Sequence, residues 1–590
     1  MSRTLAALAA LTLIAGAARA ADEVDPKTQA AIQSAVDKAV GKAEERLRAD
    51  VQTSQASAEI DAAVAPGPKL QFIELDGYLR VRGDMYDDLD LDSGMDAAGR
   101  YLFPIPLRGN PSRGTLAGAN MRLRLEPTLN VSEQVRVRAQ VDVLDNYAFG
   151  SSSSVQFDQS GSPYPVPFYG SSRSFLRDTT RTDRDAILVK RAWGEVQTPA
   201  GLLSFGRMPA GWGLGILQNP GGGIDDDYGD TVDRIQFALP PVTTPVGPLT
   251  VVPSLDFDSE GVQRFDPLGG RPIDADNADD ARSWGLKLAR VDTDDELRRK
   301  LDKGEASLNY GAFYQYKAQV WTFPGWDATT AATGSDTSAV SEKRSAYAHV
   351  LDLWTRWQRG AFKVEAEAAG IFGHVGNANA AALDASGNPV GPSGDVLIRQ
   401  LGVAATFDWA LLPKKLTLGA QAGFASGDDA PGFGNDTSAE ANPSSAYGTL
   451  QGAQWGTFGG VADRSIRNFR FNPAYRVDVI LFRQILGGVT DAWYLKPTAH
   501  WDLFPGLAID GAIVYSSAVY GESTPSSTGP GTGKKALGVE GDAKVTYTSG
   551  DGFQAWIEYG ILQPFDALKT VSDVSLARAH ALHVGLAARF

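Results

Sequence analysis

The sequence predicts an all-β chain, a transmembrane antiparallel up-and-down barrel of about 18 strands (about 16 or 20 in the alternative counts), preceded by an N-terminal helix. Three observations predict it. From Leu70 onward apolar and polar residues alternate with a period of two. The connections between these runs alternate between short and long. Six arginines share the polar parity of the first strands, where lipid would reject them.

The N-terminus reads as an address. Arg3 supplies a positive start, residues 5–15 form an apolar run, and Ala18-Arg19-Ala20 is a small-residue cleavage site, so residues 1–20 are a signal peptide. That run is shorter than the roughly 20 residues needed to span a bilayer. Residues 21–66 follow as a helix and linker, with Asp25 as N-cap, Pro26 in the first turn, and Ile32, Val36, Val40, Ala43 and Leu47 at helical spacing. This thin face suits a periplasmic helix that assists oligomers, or equally a loose amphipathic tether. Residues 67–590 are then the barrel domain.

Composition narrows the functions. The chain has no cysteine, which excludes disulfides, thiolate zinc sites and cysteine nucleophiles. A net charge of −15 argues against nucleic acid. A hydrophobic fraction of 43% is ordinary, and a barrel conceals its apolar residues by alternation.

The strands follow in order. Met121, Leu123 and Leu125 share one face, with Arg122, Arg124 and Glu126 on the other. After Asn130-Val131-Ser132, the residues Val135, Val137, Ala139, Val141 and Val143 repeat the pattern against Arg136, Arg138, Gln140 and Asp142. A turn centred there makes Arg124 a neighbour of Arg138, and Glu126 a partner of Arg136. Similar alternation recurs from Phe362 to Ala368, Leu416 to Phe424, Leu507 to Tyr515 and Leu537 to Tyr547. Pro127, Pro253 and Pro497 fall inside these strands and imply bulges. Residues 473–488 fit either a short helix folded into the lumen or two additional strands.

Short connections (198–201, 357–360, 504–506, 549–552) alternate with long ones (87–118, 144–185, 322–345, 376–395, 426–489), as tight periplasmic turns and long external loops would. Trp357, Trp409, Trp501, Tyr547 and Phe590 fall at the short-turn side, and Tyr314, Tyr316, Tyr347, Trp493 and Tyr515 at the other, giving two interfacial girdles. Arg80, Arg82, Arg122, Arg124, Arg136 and Arg138 complete the argument. One arginine on the lipid face at mid-bilayer costs roughly 2–4 kcal/mol. Six must therefore face water, as they would in a bore.

The final segment alternates from His580 to Phe590 and ends in an aromatic residue. Here, and in Arg191 to Val196 running on to Phe205-Gly206-Arg207, the chain resembles bacterial outer-membrane porins. Phe424 to Asp429 and Ile557 to Gly560 resemble segments of alginate-export-type barrels. The resemblance covers residues from about 69 to 590 and implies that Phe590 is a signal to the barrel-assembly machinery. It implies residence in the outer membrane of a Gram-negative cell, in contact with lipid and lipopolysaccharide, with homo-oligomers common in the class.

The function expected is passive diffusion of small hydrophilic solutes, anionic or saccharide-like ones favoured, with no catalysis and no cofactor. The arginine wall would attract anions. Asp225, Asp226, Asp227, Asp230 and Asp233 would face it if their loop folds inward, and Glu365 and Glu367 would line the pore. Asp274, Asp276, Asp279 and Asp280, and likewise Asp88, Asp90, Asp92 and Asp96, are dense enough in carboxylates for calcium, but neither has EF-hand spacing, so solvated charge is the favoured reading. The rival functions are a structural or adhesive surface barrel with a plugged lumen, an outer-membrane lipid hydrolase using His500 and Asp502, and a soluble periplasmic all-β protein.

Overall fold

The computed structural model describes residues 72–94, 114–148, 187–245, 247–261, 263–265, 272–274, 277–322, 342–376, 382–383, 389–390, 395–428, 465–521, 533–569 and 574–590. The expected signal peptide and N-terminal helix fall on residues outside them, as do Asp96 and the side chains of Asp274 and Asp276.

Period-two alternation produces 18 antiparallel staves that close on themselves. They are β1 (Ile73–Asp87), β2 (Thr115–Asn130), β3 (Val135–Ala148), β4 (Ile187–Thr198), β5 (Gly201–Pro209), β6 (Thr231–Ala238), β7 (Gly247–Ser259), β8 (Ala281–Arg290) and β9 (Ser307–Thr322), followed by β10 (Glu342–Arg359), β11 (Phe362–Val375), β12 (Val396–Leu412), β13 (Leu416–Ala425), β14 (Ala492–Phe504), β15 (Leu507–Ala518), β16 (Ala536–Thr548), β17 (Phe553–Pro564) and β18 (Ala579–Arg589). Closure pairs β18 with β1, from Tyr78↔Arg589 to Asp87↔His580. No edge is left with unpaired backbone, which a membrane-spanning sheet requires. Phe590 extends the seam, exchanging two 3.1 Å backbone hydrogen bonds with Gly77. A Cβ at Gly77 would lie 2.9 Å from the Phe590 ring, so the glycine makes room for the terminal aromatic.

Leu351, Leu353, Leu495, Ile513, Val584 and Leu586 all project outward and are exposed. Trp357, Trp409, Trp501, Tyr547 and Phe590 are exposed toward the short turns, and Tyr314, Tyr347, Trp493 and Tyr515 toward the long loops. One short-side connection is larger than the rest. Between β8 and β9 a helix, α1 (Asp294–Asp302), starts on a capping box of Thr293 and Glu296.

Each of the three prolines expected to mark bulges sits where one ladder breaks. The β2–β3 pairing skips from Leu125↔Val141 to Thr128↔Arg138 around Pro127. The β14–β15 pairing skips from Leu495↔Tyr515 to Thr498↔Ala512 around Pro497. The β6–β7 pairing stops at Gln236↔Ser254, beside Pro253. The missing N–H falls at an irregularity in each case.

The β2–β3 register differs from the sequence reading. Arg124 lies opposite Asp142, and Arg138 opposite Thr128. The strand runs on to Asn130, and the turn comes later, over residues 131–134, where Ser132 Oγ accepts from the Val135 N–H at 3.1 Å. Across β2–β3 Arg124 therefore faces an acid instead of Arg138, whereas across β1–β2 Arg80 lies opposite Arg122.

Residues 473–488 add no strands. They form a lumen segment containing a short π-helix, Leu481–Ile485, ended at Gly487, whose φ of 72° suits glycine. The count accordingly stays at 18.

The largest buried apolar cluster lies inside the barrel. Phe469, Phe471, Val477, Val479, Ile480 and Phe482 pack on the inner wall. That wall is made of small residues at this level, including Ala369, Ala404, Ala425 and Ala492. A Cβ at Gly402 would lie 2.3 Å from the Phe469 ring. Toward the short turns the same inward parity becomes polar, with Glu365, Lys496, His500, Asp510 and Lys544. The bore thus has two zones, oily where the segment packs and charged below it.

Candidate functional site: a constriction within the lumen

Two long connections fold inward and meet. The β5–β6 loop (210–230) carries the acidic run, and the β13–β14 loop contributes residues 465–491.

Four arginines of the wall hold the first loop. Arg80 donates to the Ile224 carbonyl at 3.2 Å, and Arg122 to the Asp226 carbonyl at 2.6 Å. Arg82 pairs with Asp225 and Asp227, both at 2.9 Å. Arg191 donates to the Asp230 carbonyl at 3.0 Å. Arg80 is 0% exposed and Arg122 2%, so these guanidinium groups are fastened rather than presented to a solute. Arg124 makes a two-pronged pair with Asp142 at 2.7 and 2.8 Å. Arg136 and Arg138 sit near the short turns. Arg138, with 37% of its side chain exposed, lies 3.4 Å from Glu195.

Asp225 is the crossing point. Beyond Arg82 it accepts from Arg476 at 2.7 Å and from Arg483 at 3.4 Å, both on the second loop. Arg483 continues to Glu558 on β17 at 3.6 Å, and Glu558 to Lys544 on β16 at 3.7 Å. An alternating chain of charges therefore runs from β1 through both loops to β16, three staves away around the wall. Burial raises the Asp225 pKa, but Arg476, Arg483 and Arg82 outweigh it and hold the carboxyl well below the usual carboxylate range.

The second loop has its own anchor. Glu540 on β16 accepts the backbone N–H groups of Val479, Ile480 and Leu481 at 2.9, 2.7 and 2.9 Å. Asp478 accepts those of Phe482 and Arg483 at 3.0 and 3.1 Å. Two carboxylates thereby satisfy five donors that would otherwise be orphaned at the start of a short helix.

Beneath the constriction lies a cavity of about 280 Å³, lined among others by Arg476, Lys496, His500, Asp510, Asp542 and Lys544. Both signs of charge face it. His500 is held between Asp510 at 2.7 Å and Asp502 at 3.3 Å.

The remaining sequence candidates are dispersed. Glu365 accepts from Trp354 Nε1 and Arg356, each at 2.9 Å, and Glu367 from the Gly215 N–H at 2.8 Å, so both brace the inner wall and the first loop. Asp230 accepts from Asn219 N–H at 2.9 Å and Asn472 at 2.6 Å, joining the two loops. Asp233 is not in the lumen. It points outward, paired with Arg207 at 2.6 Å, because it has odd parity on β6 while Arg234 and Gln236 point inward. Asp279 is buried against Gly261. The carboxylates of Asp88, Asp90 and Asp92 lie within 4.8 Å of one another.

Sequence reading missed Arg191, Arg476, Arg483, Glu540 and Glu558. The charges flanking the apolar run from Val477 to Ile485 were the available signal, since a segment apolar between fixed charges must find both an oily wall and counter-ions.

The fold and this site together define a membrane-type β-barrel with an inward-folded constriction. No family model matches the chain, and no curated protein sequence matches it. Among solved structures it is similar to OccK8 (OprE) of Pseudomonas aeruginosa, with 8% identity over 88% of this chain and 98% of that one and a TM-score of 0.40. It is similar to the outer membrane channel DcaP of Acinetobacter baumannii, with 12% identity, 88% and 97% coverage and a TM-score of 0.34. It is also similar to the outer-membrane OmpT of Vibrio cholerae, with 8% identity, 89% and 99% coverage and a TM-score of 0.34. These likenesses assign neither solute nor activity.

Proposed function

We propose that the chain is an outer-membrane porin-like channel for passive diffusion of small hydrophilic solutes, gated by its two inward-folded loops. The observation that carries this is the contrast of the two faces. The exterior is an apolar belt with aromatic edges, while the interior below the constriction is a cavity lined by charged groups. A wall that meets hydrocarbon outside and water within is the design of a diffusion barrel. The mixed charge of the cavity suits polar, saccharide-like solutes and those with an anionic group near Lys496 and Lys544. Because Arg80, Arg82, Arg122 and Arg124 are buried in their pairs, anion preference rests on the more exposed Arg138 and Lys544, whose ion pairs are longer, and on Lys496. We place the mature chain in contact with outer-membrane lipid, assembled through the barrel-assembly machinery with Phe590 as its signal, and with homo-oligomers as its expected state. No catalytic step is proposed.

A second reading is favoured by the lumen cluster of Phe469, Phe471 and Phe482: a surface barrel whose bore stays occluded. Purified protein in planar bilayers separates the two. Discrete ion-conducting steps are expected, and their absence from wild type and loop-loosened variants alike supports the occluded barrel.

A further inference from the structure

Almost every outward residue of the barrel is apolar, and the outward arginines on β5 and β8 are matched by the chain's own acids. Arg207 pairs with Asp233 at 2.6 Å, and Arg282 with Glu260 at 2.9 Å and Asp280 at 2.8 Å. Strands β9 to β12 differ. Their registers place Tyr316, His349, Phe372 and Arg399 side by side in one row, and Tyr347 and His374 in the next row toward the long loops. His349 and Arg399 are exposed on the outer face. Arg399 has no hydrogen bond or ion pair among the described residues. The rings form one continuous patch. His349 lies 5.2 Å from Tyr316 and 5.7 Å from Tyr347, Tyr347 lies 5.8 Å from His374, and Tyr314 Oη is 2.8 Å from His349 Nδ1. Asp395 holds His374 at 3.1 Å. It leaves Arg399 unmatched in a chain whose net charge is −15.

The depth of the patch is informative. His374 and Arg399 lie farther along their strands from the short turns than the roughly 9–11 residues that cross the hydrocarbon. They therefore stand at the headgroup level of the leaflet facing the long loops. An arginine there, without a counter-ion among the described residues and flanked by imidazole and phenol groups, fits an anion carried by lipid. Guanidinium and phosphate are geometrically matched.

We infer that the outer face of β10–β12, at its long-loop rim, binds the phosphate-bearing headgroup of an outer-leaflet glycolipid, with Arg399 as the ion-pairing group and His349, His374 and the surrounding tyrosines as hydrogen-bonding and stacking surfaces. This rests on the outer-membrane reading above. The test uses the full-length protein in detergent, titrated with bisphosphorylated lipid A, with dephosphorylated lipid A and with inorganic phosphate, bound lipid being counted by native mass spectrometry. Wild type is expected to bind the bisphosphorylated form roughly tenfold or more tightly than the dephosphorylated form, the usual worth of a charge-assisted contact. Arg399→Glu should abolish that preference, and Arg399→Lys should keep part of it. Equal binding of both lipids by wild type, or an undiminished preference in Arg399→Glu, overturns the inference. So does inorganic phosphate binding as tightly as lipid A, which would mark a simple anion site. Heat-modifiable migration on gels confirms that each variant is folded. Conductance is read separately: a protein that conducts without preferring phosphorylated lipid A overturns this inference alone, and one with the preference but no conductance overturns the channel reading alone.

Discussion

Replacing Asp225 by asparagine should loosen the constriction without disturbing the barrel. The side chain keeps its size but loses the charge that joins Arg82 of the wall to Arg476 and Arg483 of the second loop. Stranding a buried charge outright costs about 3–5 kcal/mol. Here each arginine keeps another carboxylate. Arg82 retains Asp84 at 3.1 Å and Asp227 at 2.9 Å, Arg476 retains Asp226 at 3.5 Å, and Arg483 retains Glu558 at 3.6 Å. The loss is then nearer that of a hydrogen bond to a charged group, about 1.5–3 kcal/mol. It raises the undocked population of the two loops roughly 10- to 100-fold. Single-channel recording in planar bilayers reads this as a larger open fraction. Asp233→Asn is the internal control, since that acid belongs to the same run in the sequence but faces outward. An open fraction in Asp225→Asn equal to wild type, or an equal rise in Asp233→Asn, would refute the reasoning. The wild type carries a matching pH signature. A depressed carboxyl pKa contributes docking energy that is fully present above its ordinary value of about 3.9 and is lost as pH falls through the lower folded value. The Asp225 latch should hold unchanged from neutral pH to about 4 and release only in stronger acid.

Other outcomes follow from the same geometry. Glu540→Ala removes the acceptor of three buried N–H groups, each costing about 1–3 kcal/mol when unsatisfied. Amide exchange at Val479, Ile480 and Leu481 should accelerate strongly, less so in Glu540→Gln, and unchanged exchange would remove Glu540 as the anchor. Arg124→Ala leaves Asp142 only Arg122, at 3.9 Å, and should lower barrel stability by about 1.5–3 kcal/mol, read as an earlier urea midpoint. Arg138→Glu acts on a part-exposed pair worth about 0–1 kcal/mol. It should leave that midpoint nearly unmoved while shifting the reversal potential toward cations, and an unmoved potential would exclude Arg138 from selectivity.

The staves were legible because the outward parity of each strand stays apolar over most of its length, interrupted only locally, as by Arg207 with Asp233 and by His349 with Arg399. Val135 to Val143 and Leu537 to Tyr547 show this plainly. The inward parity does change, from Glu365 and Glu367 to Ala369 and Ile371 within β11, and there a two-residue rhythm becomes a nearly continuous apolar run. Residues 473–488 were ambiguous for a related reason. They are apolar because they meet that inner wall, a partner distant in sequence. The β2–β3 register slipped because Asn130 reads as a turn residue, whereas its side chain donates to Glu74 at 3.0 Å and keeps it in the strand. The acids of the β5–β6 loop were visible as a run, but only parity on a formed β6 separates Asp225, turned to the arginines, from Asp233, turned away.

The alanine-lined stretch of the inner wall has a consequence for conduction. If Phe469, Val479 and Phe482 withdraw, they uncover an arc of methyl groups on β11–β14 rather than more charge, and water wets such a surface reluctantly. Current would then wait on two successive events, departure of the stopper and wetting of the oily side it leaves behind, and would arrive in brief bursts even when the latch is broken.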